Sequence, residues 1–250
     1  MFVVKAIEKT ELGNNALAKE VAKGIPQNAT EAKSRWGRFP SNKKKQAKRK
    51  LLTQQYKLCG YTEFNIDEFS SLASSKNGGC HIEHIKPKSL FPQLTFEYEN
   101  LIISVLDSDD LKRFKEEFFV NNAPEADDSH KLYFGGHKKE NIFDEVLFIS
   151  PTETDCQRYF VHIEHSGEIK PANGLEADEV KRAEYTIKLL NLNHPYLKNQ
   201  RYKRMKEVLD DIEELDDLDD QIDIVRDEIS ERNGQIASFP SAVRTLVAGA

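Results

Sequence analysis

The sequence predicts an α+β fold that is predominantly helical. Three observations support this: apolar residues recur at helical spacing towards both ends, the middle is irregular and rich in Gly, Asn, Asp and Ser, and two short apolar runs are strand-like. With 250 residues the chain is long enough for one large or two modest domains. We predict a helical basic arm at 1–57, a core with a β-hairpin at 58–175 and a helical region at 176–250.

The N-terminal arm is predicted to contain basic helices. Pro26 ends an Ala/Leu/Lys-rich stretch, and a helix that begins near Thr30 breaks at Phe39-Pro40 and resumes from Ser41 to about Cys59. Residues 31–57 hold ten Lys and Arg against a single acid, Glu31. This charge predicts a nucleic-acid surface, and a solvated amphipathic helix explains the pattern equally well. The expected phosphate contacts are Lys43, Lys44, Lys45, Lys48 and Arg49.

Strands are predicted at Val146–Ile149 and Tyr159–Glu164, and the second turns through His165-Ser166-Gly167 into Ile169 as a hairpin. From Ala177 onward the apolar spacing is helical. One long helix is predicted from Pro195 to Asn233-Gly234. Residues 207–231 carry thirteen acids against one base, Arg226. Such an acidic face indicates either a partner contact or a surface helix folded back on its own core.

Composition excludes several classes of protein. Mean hydropathy is -0.63, and no apolar run approaches the ~18–20 residues of a bilayer span. The N-terminus lacks the zones of a signal peptide, so we expect no membrane association and a cytoplasmic protein. Three scattered cysteines do not predict a disulfide framework.

The richest chemistry lies in His81-Ile82-Glu83-His84, followed sixteen positions after His84 by Asn100. Phosphodiester hydrolysis with one metal needs a base, a Lewis acid and a group that orients the base. We assign Glu83 to the metal, His84 to the water, and Asn100 either to holding His84 or to closing the loop. Lys86 and Lys88 would neutralise phosphates. A polar turn without metal is the alternative interpretation.

The segments His81–Ser89, Tyr98–Leu101 and Gly135–Asn141 resemble the HNH, or ββα-metal, nucleases. The resemblance implies a ββα-metal core, with His84 as general base, Asn100 as structural residue, and Glu83 with His137 as metal ligands. His81 is a second candidate for the metal shell, and Asp107, Asp109 and Asp110 are rival ligands. Lys138 and Lys139 are expected to contact phosphate. Several divalent metals suit such ligands, and we expect Mg²⁺ or Mn²⁺.

Within this family the chain resembles the nuclease subunit of Septu-type defence systems (PtuB-like), some of which are linked to retrons. The resemblance spans about residues 50–205 and includes Leu58-Cys59-Gly60-Tyr61 and Phe148-Ile149-Ser150-Pro151. It implies a PtuA-like ATPase subunit in a hetero-oligomer, an antiphage role, and an association with a retron reverse transcriptase and its noncoding DNA. The substrate would be DNA, or RNA such as transfer RNA.

One departure from the resemblance concerns cysteine. Relatives commonly carry paired cysteines that hold a structural zinc. Here Cys59-Gly60-Tyr61 is followed by Thr62, at the position where a second cysteine is expected. Because tetrahedral zinc needs four N/S ligands, we expect the structural zinc to be absent and apolar packing to replace it. The missing cysteines also favour a second function, a catalytically degenerate HNH-like scaffold that acts by interaction alone.

Overall fold

The computed structural model describes residues 15–72, 78–106 and 133–247. Within these ranges, helices surround two small antiparallel sheets, so the predicted α+β, predominantly helical class is confirmed. The rival metal ligands predicted from the sequence, Asp107, Asp109 and Asp110, lie outside the described residues.

The N-terminal arm forms three helices, α1 (Asn15–Val21), α2 (Ala29–Arg38) and α3 (Ser41–Gln54). The Asn28 side chain caps α2 by accepting from Glu31 N at 3.0 Å, and Pro40 separates α2 from α3 as predicted. The prediction that α3 reaches Cys59 is wrong. It ends earlier because Tyr56 and Lys57 adopt left-handed φ values of 48° and 60°.

The central hairpin pairs β1 (Cys80–His84) with β2 (Leu101–Val105) in antiparallel register, so that Glu83 lies opposite Ile102 and His84 opposite Leu101. Helix α4 (Ile66–Leu72) precedes it, and the connection contains short 3-10 turns at Pro92–Leu94 and Tyr98–Asn100. Every residue of β2 is buried. A single-turn helix, α5 (Gly136–Lys139), packs behind β1.

A second hairpin joins β3 (Phe160–Ile163) to β4 (Glu168–Pro171), which confirms the predicted turn at 165–167. The predicted strand at Val146–Ile149 is wrong, because this segment is a turn. The Asp144 carboxylate accepts from the backbone N–H groups of Val146 (2.9 Å) and Leu147 (3.0 Å), which folds the chain back locally.

The C-terminal region consists of α6 (Ala177–Leu190), α7 (Pro195–Ile212), α8 (Leu218–Glu228) and α9 (Pro240–Arg244). The single long helix predicted from Pro195 is therefore wrong. Like charges three and four residues apart oppose a continuous helix, and Asp217 caps α8 by accepting from Asp219 N at 2.7 Å. Of the two alternatives for the acidic segment, the structure shows helices folded back on their own core. Apolar residues of α7, α8 and α9 are buried against one another: Val208, Ile212, Val225 and Val243.

One hydrophobic cluster receives side chains from all three predicted segments. Its members include Leu17, Phe39, Leu51, Phe64, Leu101, Ile103, Leu197, Met205 and Phe239. Side chains from both helical regions therefore pack against the β1–β2 hairpin. The division of the chain at 1–57, 58–175 and 176–250 stays a prediction. In the described part of the chain, no helix combines the length and apolar content needed to cross a bilayer.

Candidate active site

Strand alternation places His81 and Glu83 on the same face of β1. His81 Nε2 lies 3.6 Å from Glu83 Oε2, and the two side chains are 24% and 16% exposed. His81 was only a second candidate in the sequence. The signal in the sequence is the i, i+2 spacing: a strand predicted at these residues would have placed His81, rather than His84, beside Glu83.

Lys139 completes this face from α5. Its side chain is fully buried, and its ammonium group donates to Glu83 Oε1 at 2.9 Å and to the His84 backbone carbonyl at 3.1 Å. A Cβ at Gly136 would lie 2.9 Å from Glu83 Cδ, so glycine allows α5 to approach this closely. The expectation that Lys139 contacts phosphate is corrected, because its ammonium group is enclosed and bound to the protein.

The Glu83 carboxylate is held ionised by these partners. Burial alone would raise its pKa, but the hydrogen bond from His81 and the charge of Lys139 outweigh burial and lower the pKa of Glu83 to about 2. A carboxylate that stays charged at neutral pH is suited to bind a cation.

The Leu106 backbone carbonyl brings His137 to the same face. It accepts hydrogen bonds from His81 Nδ1 and, at 2.9 Å, from His137 Nε2. The two imidazole rings lie 4.5 Å apart, centroid to centroid. Because His81 Nδ1 is bound to the Leu106 carbonyl, Nε2 is the ring nitrogen that faces Glu83.

His84 points away from this group, because adjacent residues on a strand face opposite sides. Its ring meets the edge of Trp36 at 4.6 Å between centroids and is 4% exposed. Its Nε2 donates to the Thr95 backbone carbonyl at 3.0 Å, so the neutral ring has its lone pair on Nδ1. Burial, followed by the charge of Lys88, lowers the pKa of His84 to about 4.

Asn100 closes the loop that follows β1. Its Oδ1 accepts from Lys86 N at 2.8 Å, and its Nδ2 donates to the carbonyls of Lys86 (3.0 Å) and Leu94 (3.3 Å). Of the two roles considered for Asn100, the hydrogen bonds show loop closure. This network fixes the end of β1, where Glu83 and His84 lie.

The donor atoms around Glu83 suit a divalent cation in type. Over residues 15–72, 78–106 and 133–247, no group of three or more His, Cys, Asp or Glu side chains is arranged to hold a metal ion. A carboxylate oxygen and the His81 nitrogen 3.6 Å away are a pair that one ion could share. Mg²⁺ commonly takes few protein ligands and fills its shell with water and substrate phosphate.

The predicted phosphate-binding residues differ in availability. Lys86 forms an ion pair with Glu145, and Lys48 donates to the Cys80 carbonyl at 2.6 Å. The other predicted residues are exposed or half-buried: Lys43, Lys44, Lys45, Arg49, Lys88 and Lys138. Trp36, which was given no site role from the sequence, lies on α2 and contacts the His84 ring, and Lys33 precedes it by three residues on the same helix. An aromatic residue inside a basic run was the available signal.

A cavity in the described part of the chain lies elsewhere. It has a volume of about 550 Å³ between the β3–β4 hairpin and α6, and its mostly apolar wall includes Tyr61, Glu63 and His162. Burial, with the charge of Arg201, lowers the pKa of His162 to about 3, so this imidazole is neutral. None of the candidate catalytic residues lines this cavity.

Comparison with known proteins gives one similarity that bears on this site. Over 171 residues the chain is 29% identical to a protein of Vibrio cholerae serotype O1 biovar El Tor named "Retron Vc95 putative HNH endonuclease". The match covers 66% of this chain and 66% of the relative, just under two thirds of its length. No family model matches the chain. The similarity supports the HNH family, and with it the nuclease class and a divalent metal as the cofactor of that class.

Proposed function

We propose that this protein is a metal-dependent HNH endonuclease that cleaves the phosphodiester bonds of DNA, or of RNA such as transfer RNA. The observation that carries the proposal is the hydrogen-bonded loop closure by Asn100, which fixes a carboxylate and an imidazole at the end of one strand. The named relative supports the same class of activity.

In this proposal His84 is the general base, and its Nδ1 takes the proton from water while Nε2 stays on the Thr95 carbonyl. Glu83, with His81 as its partner or with His137 as the resemblance implies, would hold Mg²⁺ or Mn²⁺, and water and substrate phosphate would fill the other positions. The ion would supply positive charge to the phosphate oxygens. Lys139 keeps the Glu83 carboxylate in place. Because His84 is 4% exposed, the Trp36 contact must loosen when substrate and water enter.

The test is cleavage of DNA and of total RNA by the purified chain with Mg²⁺ or Mn²⁺, alone and with its partner subunit. The His84→Ala variant is expected to lose about 10²–10⁴-fold in rate, the usual contribution of a general base. His165→Ala, which removes an exposed imidazole from the β3–β4 turn, is the matched control and should cleave normally. Undiminished cleavage by His84→Ala would reject His84 as the base.

A second candidate is a degenerate HNH-like scaffold that binds partners without cleaving. Two observations favour it: the Lys139 ammonium group already neutralises Glu83, and His84 is enclosed. The two candidates separate in the same assay, because a scaffold leaves both polymers intact even in the complete complex.

We further propose that the nuclease is the effector subunit of an antiphage complex with a PtuA-like ATPase and, in a retron setting, a reverse transcriptase with its noncoding DNA. The relative's printed name contains the word retron, which supports the second association. The exposed acids at the end of α7 and on α8 supply a surface for a basic partner.

A further inference from the structure

We propose that Lys33, Lys44 and Lys88 form an anion site beside His84 that binds one phosphate group of the nucleic acid. The inference deepens the proposed function and rests on it for the source of the phosphate. The three lysines come from α2, from α3 and from the loop that follows β1. Lys33 and Lys44 belong to the basic run at 31–57 that predicts a nucleic-acid surface, and Lys88 is expected to neutralise phosphate beside His84. Of the three, only Lys33 is not among the expected phosphate contacts.

Trp36 is the structural centre of this group. Lys33 and Trp36 are three residues apart on α2 and therefore share a helix face. From α3, Lys44 Nζ lies 5.3 Å from the centroid of the Trp36 ring. The same ring lies 4.6 Å from the His84 ring, and Lys88 follows His84 by four residues.

The three ammonium groups are not neutralised by the protein. In residues 15–72, 78–106 and 133–247, no carboxylate lies within ion-pair distance of any of them. Lys23, Lys57, Lys86 and Lys139 each have such a carboxylate. Within these ranges, positive charge without an ion-paired carboxylate is therefore concentrated on the side of β1 that faces α2, and the Glu83 carboxylate acts on Lys88 only from beyond ion-pair distance.

Mutual repulsion supports the same conclusion. Burial lowers the pKa of Lys88; Glu83 opposes this shift, and the charges of Lys139, Lys33 and Lys44 add to it. These ammonium groups are thus close enough to repel one another, and an anion placed among them would remove that repulsion. Burial also lowers the pKa of Lys44.

Phosphate is the anion that the location favours. The group adjoins His84, the proposed base for phosphodiester cleavage, so a phosphate bound there is near the water that His84 would activate. Lysines act on phosphate as point charges and read no base sequence, which suits a positioning contact. The site therefore fixes where the nucleic-acid backbone lies without selecting its sequence.

The experiment measures the affinity of a labelled oligonucleotide at several salt concentrations, with EDTA present so that nothing is cleaved. The triple variant Lys33→Ala/Lys44→Ala/Lys88→Ala removes one phosphate contact, so the slope of log affinity against log salt should become shallower by about 0.7 for a single strand or about 0.9 for a duplex. Each single variant should lose part of this amount, because the three lysines share one phosphate. Lys50→Ala, on α3 but outside the group, is the matched control and should leave the slope unchanged.

Trp36 is the single tryptophan of the chain, so its emission reports directly on the site. Addition of oligonucleotide should change this emission in the wild type and not in the triple variant. An unchanged salt slope in the triple variant, or a loss in Lys50→Ala equal to that in Lys44→Ala, overturns the site. A Trp36 response to inorganic phosphate without one to oligonucleotide overturns nucleic acid as the source.

The His84→Ala variant separates this inference from the proposed function. It should keep the wild-type salt slope while losing cleavage, because it retains all three lysines. If the salt slope depends on the three lysines but no nucleic acid is cleaved, the anion site is supported and the nuclease proposal is refuted. If nucleic acid is cleaved but the slope does not depend on the lysines, the nuclease proposal is supported and the anion site is refuted.

Discussion

Lys139 shows how a single residue organises the candidate site. Its ammonium group is fully buried and bonds both to the Glu83 carboxylate and to the His84 carbonyl, so it joins α5 to the end of β1. A buried charge is tolerated only when its partner and its remaining hydrogen bonds are present. Removing the cation leaves an uncompensated carboxylate in a mostly buried position.

We therefore expect Lys139→Met to lower the free energy of unfolding by about 3–5 kcal/mol, the usual cost of breaking a buried pair. Urea denaturation measures this. The double variant Lys139→Met/Glu83→Gln should recover part of the loss because the orphaned charge is gone. Lys138→Met, at the half-buried neighbouring position, is the control; equal losses in Lys138→Met and Lys139→Met would contradict the assigned role.

At the scale of elements, His194 shows how one side chain starts a helix. It precedes Pro195 at the beginning of α7, and its Nδ1 accepts from Tyr196 N at 3.2 Å. The residue is 2% exposed, and burial lowers its pKa to about 4. Only the neutral imidazole can accept this hydrogen bond, so the cap requires the deprotonated form.

The sign of the pH effect follows from this lowered pKa. Between about pH 6.5 and 4 the unfolded chain binds a proton at His194 that the folded protein does not, so stability falls as pH decreases. The contribution is on the order of 3 kcal/mol. In His194→Asn, which keeps a capping side chain without a titratable group, the free energy of unfolding should fall less over this range. Parallel pH curves for the two proteins would disprove the contribution.

The elements that sequence predicts correctly are those with local signals. Pro40 between α2 and α3, and His194-Pro195 at the start of α7, mark boundaries through residues adjacent in the chain. The prediction of a strand at Val146–Ile149 was wrong because the Asp144 carboxylate accepts hydrogen bonds from backbone N–H groups of this segment. The prediction of a single long helix from Pro195 was wrong because the spacing of apolar residues does not show the repulsion between acids or the packing of α8 on α9.

The candidate site divides in the same way. Glu83, His84 and Asn100 were identified by type and spacing, and strand alternation explains why His81 rather than His84 accompanies Glu83. The burial of Lys139 and the Trp36 contact depend on segments distant in sequence, which only the packed core brings together. No local pattern distinguishes a lysine that reaches phosphate from one that is enclosed.

Over the described part of the molecule, the two helical regions differ in charge. Helices α2 and α3 carry mainly basic residues, whereas acids predominate from Glu207 at the end of α7 through α8, and the earlier part of α7 is basic. Apolar residues of α7 and α8 are buried together with α9. Val208, Ile212 and Val225 belong to that core, so deleting residues 207–231 would damage the fold as well as any contact. Charge reversal at exposed positions tests the partner surface without this cost.

We expect Asp210→Lys/Asp211→Lys to weaken association with the proposed ATPase partner about tenfold, equivalent to about 1.4 kcal/mol. Both residues are exposed near the end of α7, where a cation suits the helix dipole, so the fold should be retained. Quantitative co-purification or calorimetry measures the effect. Glu184→Lys, at an exposed position on α6, is the control, and equal binding by both variants would exclude this face as the contact.

Residues 236–241 hold the segment that leads into α4. Asn65 Nδ2 donates to the Ile236 carbonyl at 2.7 Å, Asn65 N donates to Ser238 Oγ at 2.9 Å, and Glu63 accepts from Ser241. During synthesis on the ribosome, residues 58–105 thus emerge long before residues 236–241, whose hydrogen bonds hold the segment before α4. The segment before α4 therefore gains these hydrogen bonds only after residues 236–241 have been synthesised, so this part of the fold is completed late in translation.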